Sequence, residues 1–498
     1  MKKISLVLLG ALGFTACKEA PQIPPSHYDH LADQPYIESY PLKVDIGSLK
    51  QEMLFERGVQ TYLWALPALE MYGMKEGSEK AFGKGYNILP IFKERVNAKT
   101  LIPTSNSDVI NGLGYLDLKE DGPLVVEVPA GLQGILNDFW QRPLRSEGQI
   151  AGREWAGDVG VLGPDHGAGG RYLLLAPDYK GPIPSGYFTY RSSTYGVFVC
   201  WRGFFSDPKQ LTEPVKLLEK TRIYPLGKES TARPMEFPDA SATPANMLFP
   251  QDGNAFEMLA RFIDHEYVDP SDMEMRGVLA GIGIIKDRSF TPDRPTLDLL
   301  DKAARTASRM GHAIAYQPST LVPNGLYYAN RRWIDPFPGN ATFTTDTYNT
   351  IDARIGYFTY AYSTSAGMAA NVDNTGAKCA VAYVDANGNF LRGSQAYVLH
   401  LPPDIPAANF WSVTVYDPIS GVGLDNGQPF PSLNTMDKPI QNSDGSTDIY
   451  FGATSPGTGK NWIATVPGKG WFVLFRLYGP TKAFFEQTWK PDDIKKVE

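Results

Sequence analysis

Histidine and cysteine are scarce here, six and three in 498 residues, and that scarcity argues against several kinds of chemistry. No two of His27, His30, His166, His265, His312 and His400 stand four apart, so the helical zinc pair is missing, and no other metal motif takes its place. Cys200 and Cys379 lie far apart in apolar, strand-like runs without a histidine in a local motif, which argues against a thiol enzyme. An oxidising compartment would permit a bridge between them, whereas their surroundings suit small buried hydrophobes. There is no GxxxxGK[ST] phosphate loop and no G-x-S-x-G nucleophile elbow. No cofactor is implied. The net charge is −7 with no basic patch, which argues against a nucleic-acid partner. No short-period repeat points to a solenoid or propeller. Beyond residue 16 no apolar run is long enough to cross a bilayer.

What is present begins with Met1–Lys2–Lys3, an apolar run from Ile4 to Phe14, and Thr15–Ala16–Cys17. Two lysines and a run too short to span a bilayer read as a secretion signal. Ala16 before Cys17 fits a lipoprotein cleavage site, although Phe14 stands where leucine is usual. An ordinary cleaved signal peptide is the alternative. The expectation is a signal peptide over 1–16, lipidation at Cys17, and a bilayer partner held through that lipid. Lys18 is not the aspartate that commonly marks inner-membrane retention, so the outer membrane is favoured, with the folded body in the periplasm or at the surface. Residues 17–47 hold Pro21, Pro24, Pro25, Pro35 and Pro41 among polar residues and read as a flexible tether.

The chain is 43% hydrophobic, enough to bury cores in about three domains. Residues 48–240 read as a helix followed by β structure. Ser48 and Gln51 form a capping-box pattern, and Pro67 should kink or split the helix. Short apolar runs such as Leu124–Val128, Tyr172–Ala176 and Gly196–Trp201, separated by Gly and Pro, predict an antiparallel sandwich. Residues 241–345 read as a helical module and connector. Ser271 and Glu274 make a second capping box, Pro295 suits a first turn, and Leu300, Ala304, Ala307, Met310 and Ile314 share a stripe. Residues 346–498 return to β, with hairpin turns at Asn387–Gly388 and Asp444–Gly445 and strands at Trp411–Tyr416 and Trp471–Tyr478.

Particular stretches are familiar. Thr61–Tyr72, Ser105–Asp108, Tyr115–Leu118, Gly122–Val125 and Gly169–Leu173 resemble the bacterial family named domain of unknown function 1254. Tyr397–His400, Asn409–Ser412, Asp444–Ser446, Asp448–Tyr450, Arg476–Tyr478 and Trp489–Pro491 resemble its usual companion, domain of unknown function 1214. Together the two cover most of residues 50–498. The resemblance implies a mainly β fold with a helical module: an N-terminal immunoglobulin-like β-sandwich, central helices, and a C-terminal jelly-roll-like β-sandwich. It brings no catalytic residues.

Two places invite a functional hypothesis. The glycine-rich loop Gly160–Arg171 exposes backbone N–H groups, and Asp165 and His166 within it are candidates for acid–base chemistry. Arg171 is its candidate ligand-binding residue. The bland reading is a solvated surface loop. The second place joins Trp140 and Asp158, since flat aromatic faces and carboxylates suit sugars. The bland reading there is core packing and surface acids. His400, alone in an apolar strand, reads as a hydrogen-bonded core residue. The functional reading is an envelope lipoprotein that binds a carbohydrate, another polymer or a small molecule through its sandwiches. The alternative is a secreted hydrolase acting on a carbohydrate or ester. Enzymatic activity and homo-oligomer formation stay open.

Overall fold

Strand alternation decides how the layers stack. A computed structural model describes residues 26–146, 156–318, 322 and 324–497; the signal segment and Cys17 lie outside the described residues. The chain divides into Met1–Met53 and Leu54–Glu498.

In the first unit, residues read as tether are partly structured. His27–Ala32 is helical because Ser26 and Asp29 form a reciprocal capping box. Helix α1 (Lys43–Phe82) begins before Ser48, whose hydroxyl donates to the Val44 carbonyl instead of capping. The helix also runs through Pro67 without a break. A proline inside a helix costs about 3 kcal/mol. Burial of nearly every side chain from Tyr62 to Met74 offsets that cost.

The second unit is mainly β with a helical module in the middle. Its N-terminal sandwich comprises β1 (Ile110–Asp117), β2 (Leu124–Val128), β3 (Gln133–Asp138), β4 (Asp158–Val159), β5 (Gly170–Leu175), β6 (Phe188–Arg191), β7 (Gly196–Gly203) and β8 (Arg222–Pro225). The sheets run β8-β2-β5-β6 and β1-β7-β3-β4. The C-terminal sandwich comprises β9 (Ala377–Ala382), β10 (Tyr397–Leu401), β11 (Ala407–Tyr416), β12 (Ser432–Asn434), β13 (Thr447–Gly452), β14 (Asn461–Ala464), β15 (Phe472–Pro480) and β16 (Lys495–Lys496). Its sheets run β9-β15-β11-β12 and β14-β13-β10-β16. Pairing is antiparallel except for β5 with β6 and β13 with β14.

Between the sandwiches lie α2 (Asn254–His265), α3 (Met273–Gly281), α4 (Arg294–Tyr316) and α5 (Ile351–Phe358). Pro295 does sit in the first turn of α4, behind an Asp293 cap. Met310 is 44% exposed and Gly311 takes its place on the buried stripe. The Ser271–Glu274 capping box does not form, because Asp269 caps that turn by accepting from the Ser271 N–H at 2.9 Å.

One sheet of each sandwich is covered on both faces. In β7, Val197, Val199 and Trp201 enter the inter-sheet core, while Phe198 and Cys200 point the other way, toward α1, α2 and α4. In β15, Val473, Phe475 and Leu477 fill the C-terminal core. Phe472 and Leu474 face outward onto Ala315 and Tyr360 of the helical region. Doubly covered strands become nearly continuous apolar runs, as both segments are apart from Arg202 and Arg476.

A latch joins the two sandwiches. Asp108, fully buried, accepts from Arg95 at 3.2 Å, from Asn434 at 2.8 Å and from Ser432 at 3.3 Å. Tyr416 donates to the Ser105 carbonyl at 2.6 Å, and Asn106 donates to the Tyr478 hydroxyl at 2.5 Å.

Candidate functional site: a cavity between the sandwiches and the helices

The helix-facing sides of β7 and β15 leave a cavity of about 150 Å³ where they converge with α4 and α5. Cys200 and Arg202 of β7 form one wall. Cys379 and Val381 of β9, with Leu474, Arg476 and Tyr478 of β15, form the second. Ile314, Tyr357 and Tyr360 close the third, from the helical side. Most of this lining is aromatic or aliphatic. Arg476 is 5% exposed and donates to the Thr414 hydroxyl and the Thr104 carbonyl, both at 3.2 Å. Arg202 keeps some accessible surface and borders both this cavity and a smaller one that reaches Asp158. Among the described residues no cluster of His, Cys, Asp or Glu is arranged to hold a metal, and no helix is long and apolar enough to cross a membrane.

Residues 86–225 match the family described as protein of unknown function (DUF1254), and residues 376–482 match protein of unknown function (DUF1214). The chain carries the two domains in tandem. No curated protein matches it. Among solved structures it is similar to the VPA0106 protein of Vibrio parahaemolyticus, at 19% identity and a TM-score of 0.50, over 89% of this chain and 100% of that one. An uncharacterized protein from Burkholderia cenocepacia matches at 13% identity and a TM-score of 0.38, over 91% and 96% of the two chains. The first likeness shows a shared fold.

The cavity is therefore composite. Arg202 and Cys200 come from the DUF1254 part, Arg476 and Cys379 from the DUF1214 part. The helical wall belongs to neither. Both cysteines are free, and burial pushes both thiols up, so they stay protonated at neutral pH. Burial likewise raises the Tyr357 and Tyr362 phenols. At the DUF1214 edge, Lys378 lines a neighbouring polar cavity with Asp335. Burial lowers Lys378 to about 8 and raises Asp335.

The residues singled out in the sequence sit elsewhere, with one exception. Asp165 is buried rather than exposed. It accepts from the Gly160 N–H at 2.8 Å, the Gly169 N–H at 3.1 Å and the Tyr172 hydroxyl at 2.6 Å. Its oxygens thus fasten the loop, whose glycines 160, 167 and 169 all adopt positive φ. His166 is exposed, and Arg171 stacks over Tyr187 at 4.8 Å. Trp140 packs against Trp64 and Phe262, with ring centroids at 4.3 and 5.2 Å. His400 pairs with Asp448 across the sheet at 2.7 Å, partly exposed rather than in the core. The exception is Asp158. It accepts from the Ser365 hydroxyl and the Gly367 N–H, both at 2.7 Å, beside the small cavity that Arg202 also borders. Burial pushes its carboxyl up to about 7 against those two hydrogen bonds and the field of Arg202.

Arg202 and Arg476 were not among the sequence candidates. The available signal was a charged residue on one face of an otherwise apolar run, in Val197–Gly203 and in Phe472–Tyr478. On a doubly covered strand such a charge is largely kept from solvent. One prediction follows for the loop. Asp165→Ala should lower stability by about 1–3 kcal/mol, the cost of stranding buried donors, while His166→Ala should leave it unchanged. Urea titration of both variants tests this; an equal, negligible effect would show that the loop does not depend on Asp165.

Proposed function

We propose that this protein is an envelope lipoprotein that binds a small, largely apolar molecule in the cavity between its two sandwiches. The cavity itself carries the reading. Its walls are rigid strands and helices, mostly apolar, with a few polar groups at fixed positions, which is how small-molecule sites are built. A polymer would need an exposed groove, and Trp140 and the Gly160–Arg171 loop are occupied with internal packing. A cavity of this size takes a molecule on the order of benzene.

Two measurements test the proposal. Ala361 lines the cavity, and Ala361→Phe should fill it. The probe 2-phenylethanol should raise the melting temperature of the wild type and not of Ala361→Phe. An equal response in both would place binding elsewhere. Radiolabelled palmitate should enter the wild type and not Cys17→Ser; labelling of both would remove the lipoprotein part.

A further inference from the structure

Two arginines bear on the chemical class of the occupant, given that the cavity is a ligand site as proposed above. Arg202 and Arg476 both line it. They lie near one another, since Cys379 and Tyr478 are close enough to influence both guanidiniums. Neither arginine forms an ion pair with a carboxylate among the described residues, although Asp335 and Asp352 also line the cavity and Asp158 lies close enough to Arg202 to feel its field. The hydrogen bonds of Arg476 go to neutral groups, a hydroxyl and a carbonyl. Arg202 lies beside the Cys200 thiol.

Arginine cannot shed its proton in a protein, so each stays cationic however deep it lies. Burying an unpaired ion costs several kcal/mol. Elsewhere this chain meets that cost directly. Arg95, as buried as Arg476, pairs with Asp108 at 3.2 Å and with Asp437 at 3.3 Å. The cavity arginines lack such a partner, and they face a common space.

We infer that the cavity binds a small carboxylic acid with an apolar body, its carboxylate received by Arg202 and Arg476 and its body by Phe337, Tyr357 and Leu474. The volume restricts that body to a single ring or a short branched chain. A carboxylate needs no donor beyond the two guanidiniums; of the other lining groups the Asn106 and Asn111 amides are spent, whereas the buried Tyr360 hydroxyl has no partner. Asn106 donates its amide to Tyr478, and Asn111 donates to the Asn106 and Val109 carbonyls. Two guanidiniums satisfy a carboxylate's two oxygens.

Calorimetry on the folded chain tests this with three probes that share one ring: phenylacetate, 2-phenylethanol and benzyl phosphate. Phenylacetate should bind at least tenfold more tightly than either of the others. Arg202→Gln should weaken phenylacetate at least tenfold, and Arg202→Lys, which keeps the charge, should restore part of the loss. Circular dichroism confirms that each variant is folded, and the wild-type preference needs no variant at all. Equal affinity for the acid and the alcohol, with both blocked by Ala361→Phe, would overturn the anion and keep the cavity. Tighter binding of benzyl phosphate would overturn the carboxylate in favour of a phosphate. No binding of any probe by the wild type would overturn both readings.

Discussion

Trp471→Ala is expected to cost about 3–5 kcal/mol of stability, the range for deleting a large aromatic from a packed core. Trp471 is 2% exposed and lies between the sheets of the C-terminal sandwich. Phe451 stacks on it with centroids at 4.7 Å, and Tyr397 meets it edge-on at 5.7 Å. Tyr397 and Phe451 face each other across the β10–β13 ladder, and β15, which starts one residue after Trp471, is laddered to β11, which limits how far the walls can move to fill the space. Trp411, 7% exposed in the same core, should behave alike. Urea titration gives the number. A loss below about 1 kcal/mol would mean that the sandwich closes over the gap, contrary to the packing described.

The second large effect is a dependence of stability on pH. The Asp158 carboxyl is pushed up to about 7 in the folded protein by burial, from an ordinary value of 3.8. Between those values the folded state binds a proton that the unfolded state has released. Stability therefore falls as pH rises through this window, by as much as about 4 kcal/mol once both states are ionised. Burial raises Glu70 and Glu266 as well, so they act in the same direction. His312, held low by burial, opposes them over the range just below 6.5. Asp158→Asn isolates the contribution. Wild type should be less stable at pH 8 than at pH 5, and the variant should show a smaller difference. An unchanged pH dependence in Asp158→Asn would mean that the carboxyl ionises in the fold without penalty.

Legibility in the sequence tracked burial on two faces. Leu124–Val128 is a strand as read, and Gly196–Trp201 falls inside β7. Such runs are apolar at nearly every position, Glu127 excepted, and length together with β-branched residues separates them from helix. The turns at Gly388 and Gly445 are legible for a different reason, since both have the positive φ that glycine supplies freely. The α1 boundary was not legible, because Ser48 sits inside the helix and its hydroxyl donates to the Val44 carbonyl in place of capping. The cavity was not legible either. Its two arginines are separated by most of the chain, and only the sandwich arrangement brings them to one space. The glycine-rich loop misled for a related reason. Its glycines serve a closed internal turn fastened by Asp165, and glycine density alone cannot distinguish that from an open binding loop.

The latch at Asp108 sets a timetable for synthesis. A ribosome working from the N-terminus makes Asp108 and Arg95 early, but Ser432 and Asn434 arrive more than three hundred residues later. At 5–20 residues per second the gap is some tens of seconds. Throughout it the Ser105 carbonyl and the Asn106 amide lack the Tyr416 and Tyr478 hydroxyls that eventually meet them. The first sandwich must therefore wait half-finished for the second. Expressed alone, either half would keep those groups without the partners that the other half supplies.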